Sequence, residues 1–185
     1  MATPSSMLAL GTALPPIRLK NAVDGSEVDV AKLAEGARGV LVAFICNHCP
    51  YVVHLRKELV RVAHEALDRG VRVVAINSND LDTYPQDGPG PMGRLAKDEK
   101  WRFPFLFDAT QDVARAFRAE CTPDLYLFDA DRKLAYRGQF DDSRPANGKP
   151  VTGSDLRAAI DAVVTGKKPS PDQRPSIGCN IKWRA

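Results

Sequence analysis

This sequence predicts a three-layer α/β fold with a mixed sheet, preceded by a β-hairpin and followed by an extended tail. Three observations carry that prediction. The run GVLVAFI (39–45) is continuously apolar and rich in β-branched residues, the mark of a strand covered on both faces. From Pro50 the pattern changes, and Val52, Leu55, Leu59, Val62 and Ala66 recur at steps of three and four, as on one face of a helix ending near Gly70. VRVVAIN (71–77) is again a buried strand, and strand, helix and strand at this spacing make a right-handed parallel unit.

The remaining elements follow in order. LKNAVDGSEVDVAKL (19–33) places an Asp-Gly turn between short extended stretches, an N-terminal hairpin. Residues 79–91, NDLDTYPQDGPGP, read as a loop from their Pro and Gly content, with a short helix from about Met92 to Lys100. FPFLFD (103–108) is a strand and QDVARAFRA (111–119) a helix. DLYLFDADRKLAYRGQF (124–140) is an antiparallel hairpin through an Asp-rich turn, and SDLRAAIDAVVTG (154–166) a capped helix ending at Gly166. No internal repeat interrupts this order.

A chain of 185 residues suits one domain with one substantial core. We assign that domain to residues 1–166 and a C-terminal extension to 167–185. In SIGCNIKW (176–183), Ile177, Cys179, Ile181 and Trp183 alternate with polar residues, which places all four on one face of an extended segment. That face needs an apolar surface, supplied by its own domain or by a second subunit of a homodimer.

Net charge is +3, from 26 basic and 23 acidic residues scattered along the chain. A nucleic-acid binder gathers its basic residues on one face, so no nucleic-acid partner is expected. No run of about 18 apolar residues exists, so no spanning helix and no membrane partner are expected. The start, MATPSSMLALGTALPP, carries no basic residue before Arg18 and only a short, broken apolar stretch. It fails as a secretory signal, which points to the cytoplasm. In that reducing compartment Cys46, Cys49, Cys121 and Cys179 are not expected to be structural staples.

The chemistry concentrates in FICNHCPYVVH (44–54). Loops at the carboxyl ends of parallel strands form the functional edge of such folds, and this strand delivers Cys46–Cys49 there. Proline is favoured at the first helical position, so Pro50 makes Cys49 the N-cap. A thiolate there faces free backbone N–H groups and the positive end of the helix dipole, and a protonated His48 adds charge. Together these move a thiol pKa from about 8.5 towards 7 or lower. Cys46, spaced as Cys-x-x-Cys, can close a disulfide with Cys49, so the pair can serve as nucleophile and resolving thiol. The expected partners are protein or low-molecular-weight disulfides and thiols. No dinucleotide fingerprint appears and no cofactor is expected, so a cellular thiol reductant must recharge the pair. A different class of function uses the same residues: Cys46, His48 and Cys49, with His54, as copper or zinc ligands. Against it, His48 and Cys49 are sequence neighbours and strain to share one tetrahedral ion.

VLVAFICNHCPYV, CTPDLYLFD and the leading GTALPPIRL…DGSEVDVAKL resemble the thioredoxin superfamily, in particular its peroxiredoxin-like and membrane-tethered thioredoxin-like branch. The likeness runs from about Leu8 to Gly166. The tail is similar to that of a peroxiredoxin-like group carrying Asn-His-Cys-Pro and a terminal Gly-Cys…Lys-Trp. The resemblance implies a thioredoxin fold, thiol–disulfide oxidoreductase activity, and Thr122 followed by a cis Pro123 beside the thiols. Aligned without a gap, Cys49 falls at the family's nucleophile position and Val52 at that of its resolving cysteine. Cys46 is then an upstream resolving partner, and the opposite assignment stays open. A peroxiredoxin-like thiol peroxidase is the alternative within the family. Matched to that pattern, Cys46 stands where a hydroxyl residue is needed and Val42 where a proline is, and no arginine precedes LYLFD.

Supporting residues have two readings each. Asp141, Asp142 and Arg144 lie where the hairpin returns to the active edge, as a proton shuttle or substrate contact, or as a solvated turn. Asn77 and Asp80 line the cleft or form a turn. Cys121 is a third redox thiol or a small buried hydrophobe. Cys179 packs on the tail's apolar stripe or resolves an oxidised active-site thiol. His54 and His64 are expected to be exposed.

Overall fold

The computed structural model describes residues 2–184. A short strand, β1 (Ala2–Pro4), opens the chain, and β2 (Arg18–Asn21) and β3 (Glu27–Asp29) form the hairpin expected around Asp24-Gly25. Asp24 fixes the turn by accepting from the backbone N–H and the hydroxyl of Ser26. A one-turn helix, α1 (Val30–Leu33), follows, capped by the Asp29 carboxylate. Then β4 (Gly39–Phe44), α2 (Pro50–Asp68) and β5 (Val71–Asn77) make the parallel unit, with every residue of β4 buried as its apolar run predicts.

Residues 79–91 are more ordered than their composition predicts. A single 3₁₀ turn at Pro85–Asp87 runs into α3 (Pro89–Asp98), which starts at Pro89 rather than near Met92. Proline lacks the N–H that the first helical turn leaves unused, so it starts this helix instead of blocking it. Next come β6 (Phe105–Phe107), α4 (Asp112–Phe117), the two-residue β7 (Cys121–Thr122), and the hairpin β8 (Asp124–Asp129) and β9 (Leu134–Gly138). The chain finishes with α5 (Ser154–Val164) and β10 (Ile177–Asn180).

The main sheet has the order β3-β2-β6-β5-β4-β8-β9, with β4, β5 and β6 parallel and β2, β8 and β9 antiparallel to their neighbours. One face carries α2, α3 and α5 over a core that contains Leu41, Leu55, Met92, Leu125 and Ile160. The other carries α1 and α4 over an aromatic nest of Phe44, Phe117, Tyr126 and Phe128. This is the three-layer arrangement that the order of elements predicts. Among the described residues, no helix is long and apolar enough to cross a membrane.

Two local expectations are corrected. The last helix has no side-chain cap: its N-cap is Gly153 at φ +66°, where a Cβ would lie 2.6 Å from Cζ of Phe140. The Asp141 carboxylate instead holds the segment leading into the helix, accepting at 2.7 Å from the N–H groups of both Thr152 and Gly153. The tail stripe also fails. β10 ends at Asn180, so the two-residue period stops there, and Cys179 packs on the α2 side of the molecule while Ile181 enters the core under α4. Ile177 and Trp183 remain exposed. In place of a common apolar face, backbone pairing holds the tail: β10 runs between β1 and β7 of its own chain.

Candidate active site at the start of the second helix

β4 ends at Phe44 and α2 begins at Pro50, so residues 45–49 form the turn at the carboxyl edge of β4. Cys49 is the N-cap, extended at φ −63° and ψ 121° as the following proline requires, and its carbonyl accepts the first helical bond from Val53 at 2.9 Å. The facing wall is β7 and the peptide after it, where Thr122-Pro123 is cis. Thr122 meets both thiols of the turn. Its carbonyl accepts from Cys49 Sγ at 3.1 Å, and its hydroxyl lies 3.5 Å from Cys46 Sγ. Cys46 and Cys49 are both buried free thiols, with no disulfide between them.

The turn is held from a second side by Asp87, a fully buried carboxylate in the 3₁₀ turn. Asp87 accepts from the Asn47 N–H at 2.9 Å and from Nδ2 of Asn79 at 2.9 Å, and its Oδ2 lies 2.6 Å from Nδ1 of His48. Its carbonyl accepts from Nδ2 of Asn77 at 2.7 Å. The His48 ring stacks on Tyr84, with centroids 4.7 Å apart.

Electrostatics separate the two thiols. Cys49 is brought down to about 4. The neighbouring Cys46 thiol is the largest cause, although no hydrogen bond joins the two sulfurs. Burial opposes it, and Cys179, Thr122 and the Val52 N–H at the helix start reinforce it. Cys46 is pushed up by the neighbouring Cys49, by burial and by the Asp87 carboxylate. The expectation that His48 charges the Cys49 site is corrected here. Asp87 draws the imidazole aside, and Nδ1 lies 3.8 Å from Cys46 Sγ instead.

Other expected residues fall in varied places. Asp141 is buried rather than solvated, and it bonds three backbone N–H groups, those of Ser143, Thr152 and Gly153. Asp142 pairs with Lys149, and Arg144 bonds the carbonyls of Asp141 and Ser143 and the amide of Gln139, so all three build the loop and none bonds a cysteine. Asn77 is buried behind Asp87, and Asp80 holds Thr83 and Arg184. Cys121 is fully buried, donates to the Pro123 carbonyl at 3.5 Å, and is pushed up by burial and by Asp124. His54 and His64 are half-buried rather than exposed: Nε2 of His54 lies 2.8 Å from the Ser143 hydroxyl, and Nε2 of His64 accepts from the Arg102 N–H. Asp87 is the residue that sequence reasoning missed. Its one signal was an acid in a loop at the carboxyl end of a parallel strand, where Asn77 and Asp80 drew the attention.

A metal reading gathers different residues from those expected. Ligand atoms of Cys46, His48 and Asp87 lie within 4.8 Å of one another, and Cys49 is outside that set. Three N–H donors already occupy the Asp87 carboxylate, which explains the cluster as a hydrogen-bonded brace for the turn.

A parallel βαβ unit with two cysteines at its strand-to-helix turn, facing a cis proline, defines a redox protein of the thioredoxin fold. The Redoxin family matches residues 9–159, and the chain belongs to that family. An uncharacterized conserved protein from Geobacillus kaustophilus is 49% identical with a TM-score of 0.96, over 100% of this chain and 97% of that one. A hypothetical protein from Sinorhizobium meliloti 1021 is 48% identical with a TM-score of 0.95, over 99% of each chain. A thiol:disulfide interchange protein of the thioredoxin family from Chlorobium tepidum TLS shares the fold at 17% identity, with a TM-score of 0.63 over 85% of this chain and 99% of that one. No curated protein matches the chain.

Proposed function

We propose that this protein is a thiol–disulfide oxidoreductase working through Cys46 and Cys49. One observation carries the reading: Cys46 and Cys49 stand in the turn before α2 against the cis Thr122-Pro123 peptide, and Cys49, as N-cap of that helix, is the thiol brought down to about 4. The ionised sulfur attacks a disulfide, one partner sulfur leaves as thiolate, and a mixed disulfide forms on Cys49. Cys46 then gives up its proton and attacks Cys49, which closes the Cys46–Cys49 bond and releases the second partner thiol. Thr122 and Pro123 line the approach, and Asp87 fixes His48 against the Cys46 side. A cytoplasmic thiol reductant reverses the cycle. Peroxidase chemistry is the weaker reading, since among the described residues no arginine side chain hydrogen-bonds a cysteine, and peroxide activation needs such donors.

The test is a redox titration against glutathione with peptide mass mapping. Wild type should pass through one two-electron transition with a 46–49 linkage, and Cys49→Ser should show none. A wild-type chain that stays fully reduced over the whole range overturns the assignment.

A further inference from the structure

We propose that Cys179 is the relay thiol of this site, carrying redox equivalents between solvent and the buried Cys46–Cys49 pair. The inference rests on the oxidoreductase reading and adds the residue through which external thiols reduce the oxidised pair again. Cys46 is 2% exposed and Cys49 0%. What covers them includes the chain's own tail. β10 pairs antiparallel with β7, Cys179 sits directly opposite Thr122, and the Thr122 carbonyl is the acceptor of the Cys49 thiol. Gly178 permits this approach, because a Cβ there would lie 1.9 Å from the Thr122 carbonyl oxygen and 3.1 Å from Cδ of Pro123.

Of the four thiols, Cys179 alone is not fully buried. Its side chain packs on the core cluster that contains Cys46 and Cys49, and its presence favours the ionised form of the Cys49 sulfur. In the reduced site its own thiol is pushed up to about 11 by burial and then by Cys49, as hydrogen-bond partner and as negative charge. Both influences of Cys49 vanish once that sulfur is in a disulfide, so Cys179 becomes easier to ionise when a relay needs it.

The exchange balances without an outside oxidant. With the Cys46–Cys49 disulfide formed, Cys179 gives up its proton and attacks Cys49 Sγ. The Cys49–Cys179 bond forms, the Cys46–Cys49 bond breaks, and Cys46 leaves as thiolate and takes up a proton. An external thiol then attacks the sulfur of the partly buried Cys179 and frees Cys49 as thiolate. A second external thiol releases Cys179, so two external thiols end as one disulfide and the chain regains its reduced thiols.

The experiment measures how fast oxidised protein is reduced by glutathione, in wild type and in Cys179→Ser, alongside the equilibrium titration. The relay predicts that Cys179→Ser keeps the 46–49 couple at equilibrium but is reduced at least ~10-fold more slowly. A variant that merely loosened the tail would expose the pair and be reduced faster. In Cys46→Ala, treatment with oxidised glutathione should trap a 49–179 disulfide, seen by mass mapping. Equal or faster reduction of Cys179→Ser, or Cys179 left free in Cys46→Ala, overturns the relay. Loss of any couple in the wild type instead overturns the reading of the site itself.

Discussion

Cys49 and Cys121 are equally buried, and each donates to a carbonyl of the same cis turn, Cys49 to Thr122 and Cys121 to Pro123. Yet Cys49 is brought far below the ordinary thiol range while Cys121 is driven well above it. Burial pushes both upward, so burial does not distinguish them. Their neighbours do. Cys49 stands at a helix start, where Cys46, Cys179, Thr122 and the Val52 N–H favour its ionised form. Cys121 lies in a strand with the carboxylates of Asp124 and Glu120 beside it. A buried cysteine is therefore a reagent or a packing group according to the sign of what surrounds its sulfur.

The largest effect that follows concerns the two sulfurs directly. Cys49→Ser should lower the rate of disulfide exchange with a small aromatic disulfide on the order of a thousand-fold, while Cys121→Ser leaves it within about two-fold. Comparable losses in both variants would break the contrast.

A smaller effect tests the neighbours. Cys46→Ala removes the largest cause of the Cys49 shift, so its titration, followed by thiolate absorbance near 240 nm, should move upward from about 4 by about 2 units. The sign for stability follows. Between the folded and the unfolded pKa of Cys49 the unfolded chain binds the extra proton, so wild type gains stability as pH rises from 4 towards 9 and loses it as pH falls through 4. Cys46→Ala should flatten that slope, and an unchanged titration would show that the cause lies elsewhere.

The half of this site built from local pattern was legible in the sequence, and the half built from distant contacts was not. Pro50 fixes the first helical turn by its own ring, so Cys49 as N-cap could be read from two adjacent letters. GVLVAFI and VRVVAIN announced their burial by composition alone. Asp87 could not be found that way, because its carboxylate is functional only through bonds to Asn47, His48 and Asn79, and nothing local distinguishes it from Asp80 or Asp82. His48 was read as a neighbour of Cys49 in sequence, but it turns to Asp87 in space. The tail shows the same limit. Its alternation predicted a strand, and the strand ends at Asn180, one residue before Ile181 crosses to the opposite core.

The finest test lies behind the cis proline, at Asp124, the residue that helps hold Cys121 high. Asp124 is fully buried, accepts from the Tyr126 hydroxyl at 2.9 Å and the Glu120 N–H at 3.4 Å through one oxygen, and leaves the other without a hydrogen-bond partner. Burial pushes its carboxyl up to about 7. In the unfolded chain an Asp ionises near 4, so between about 4 and 7 the folded state binds the extra proton. That contribution is fully present at low pH and is lost as pH rises through 7, the opposite sense to the contribution of Cys49. Asp124→Asn removes it without changing the side chain's shape, and the amide oxygen can still accept from Tyr126. Urea unfolding at pH 5 and pH 8 should therefore show the variant gaining about 2–3 kcal/mol relative to wild type between the two conditions. Cys121 should stay inert towards exchange in both proteins, because burial still opposes its ionisation. A variant whose Cys121 becomes reactive would show that the nearby carboxylate alone silenced it, and stability differences that do not change with pH would remove Asp124 from the account of why the two thiols diverge.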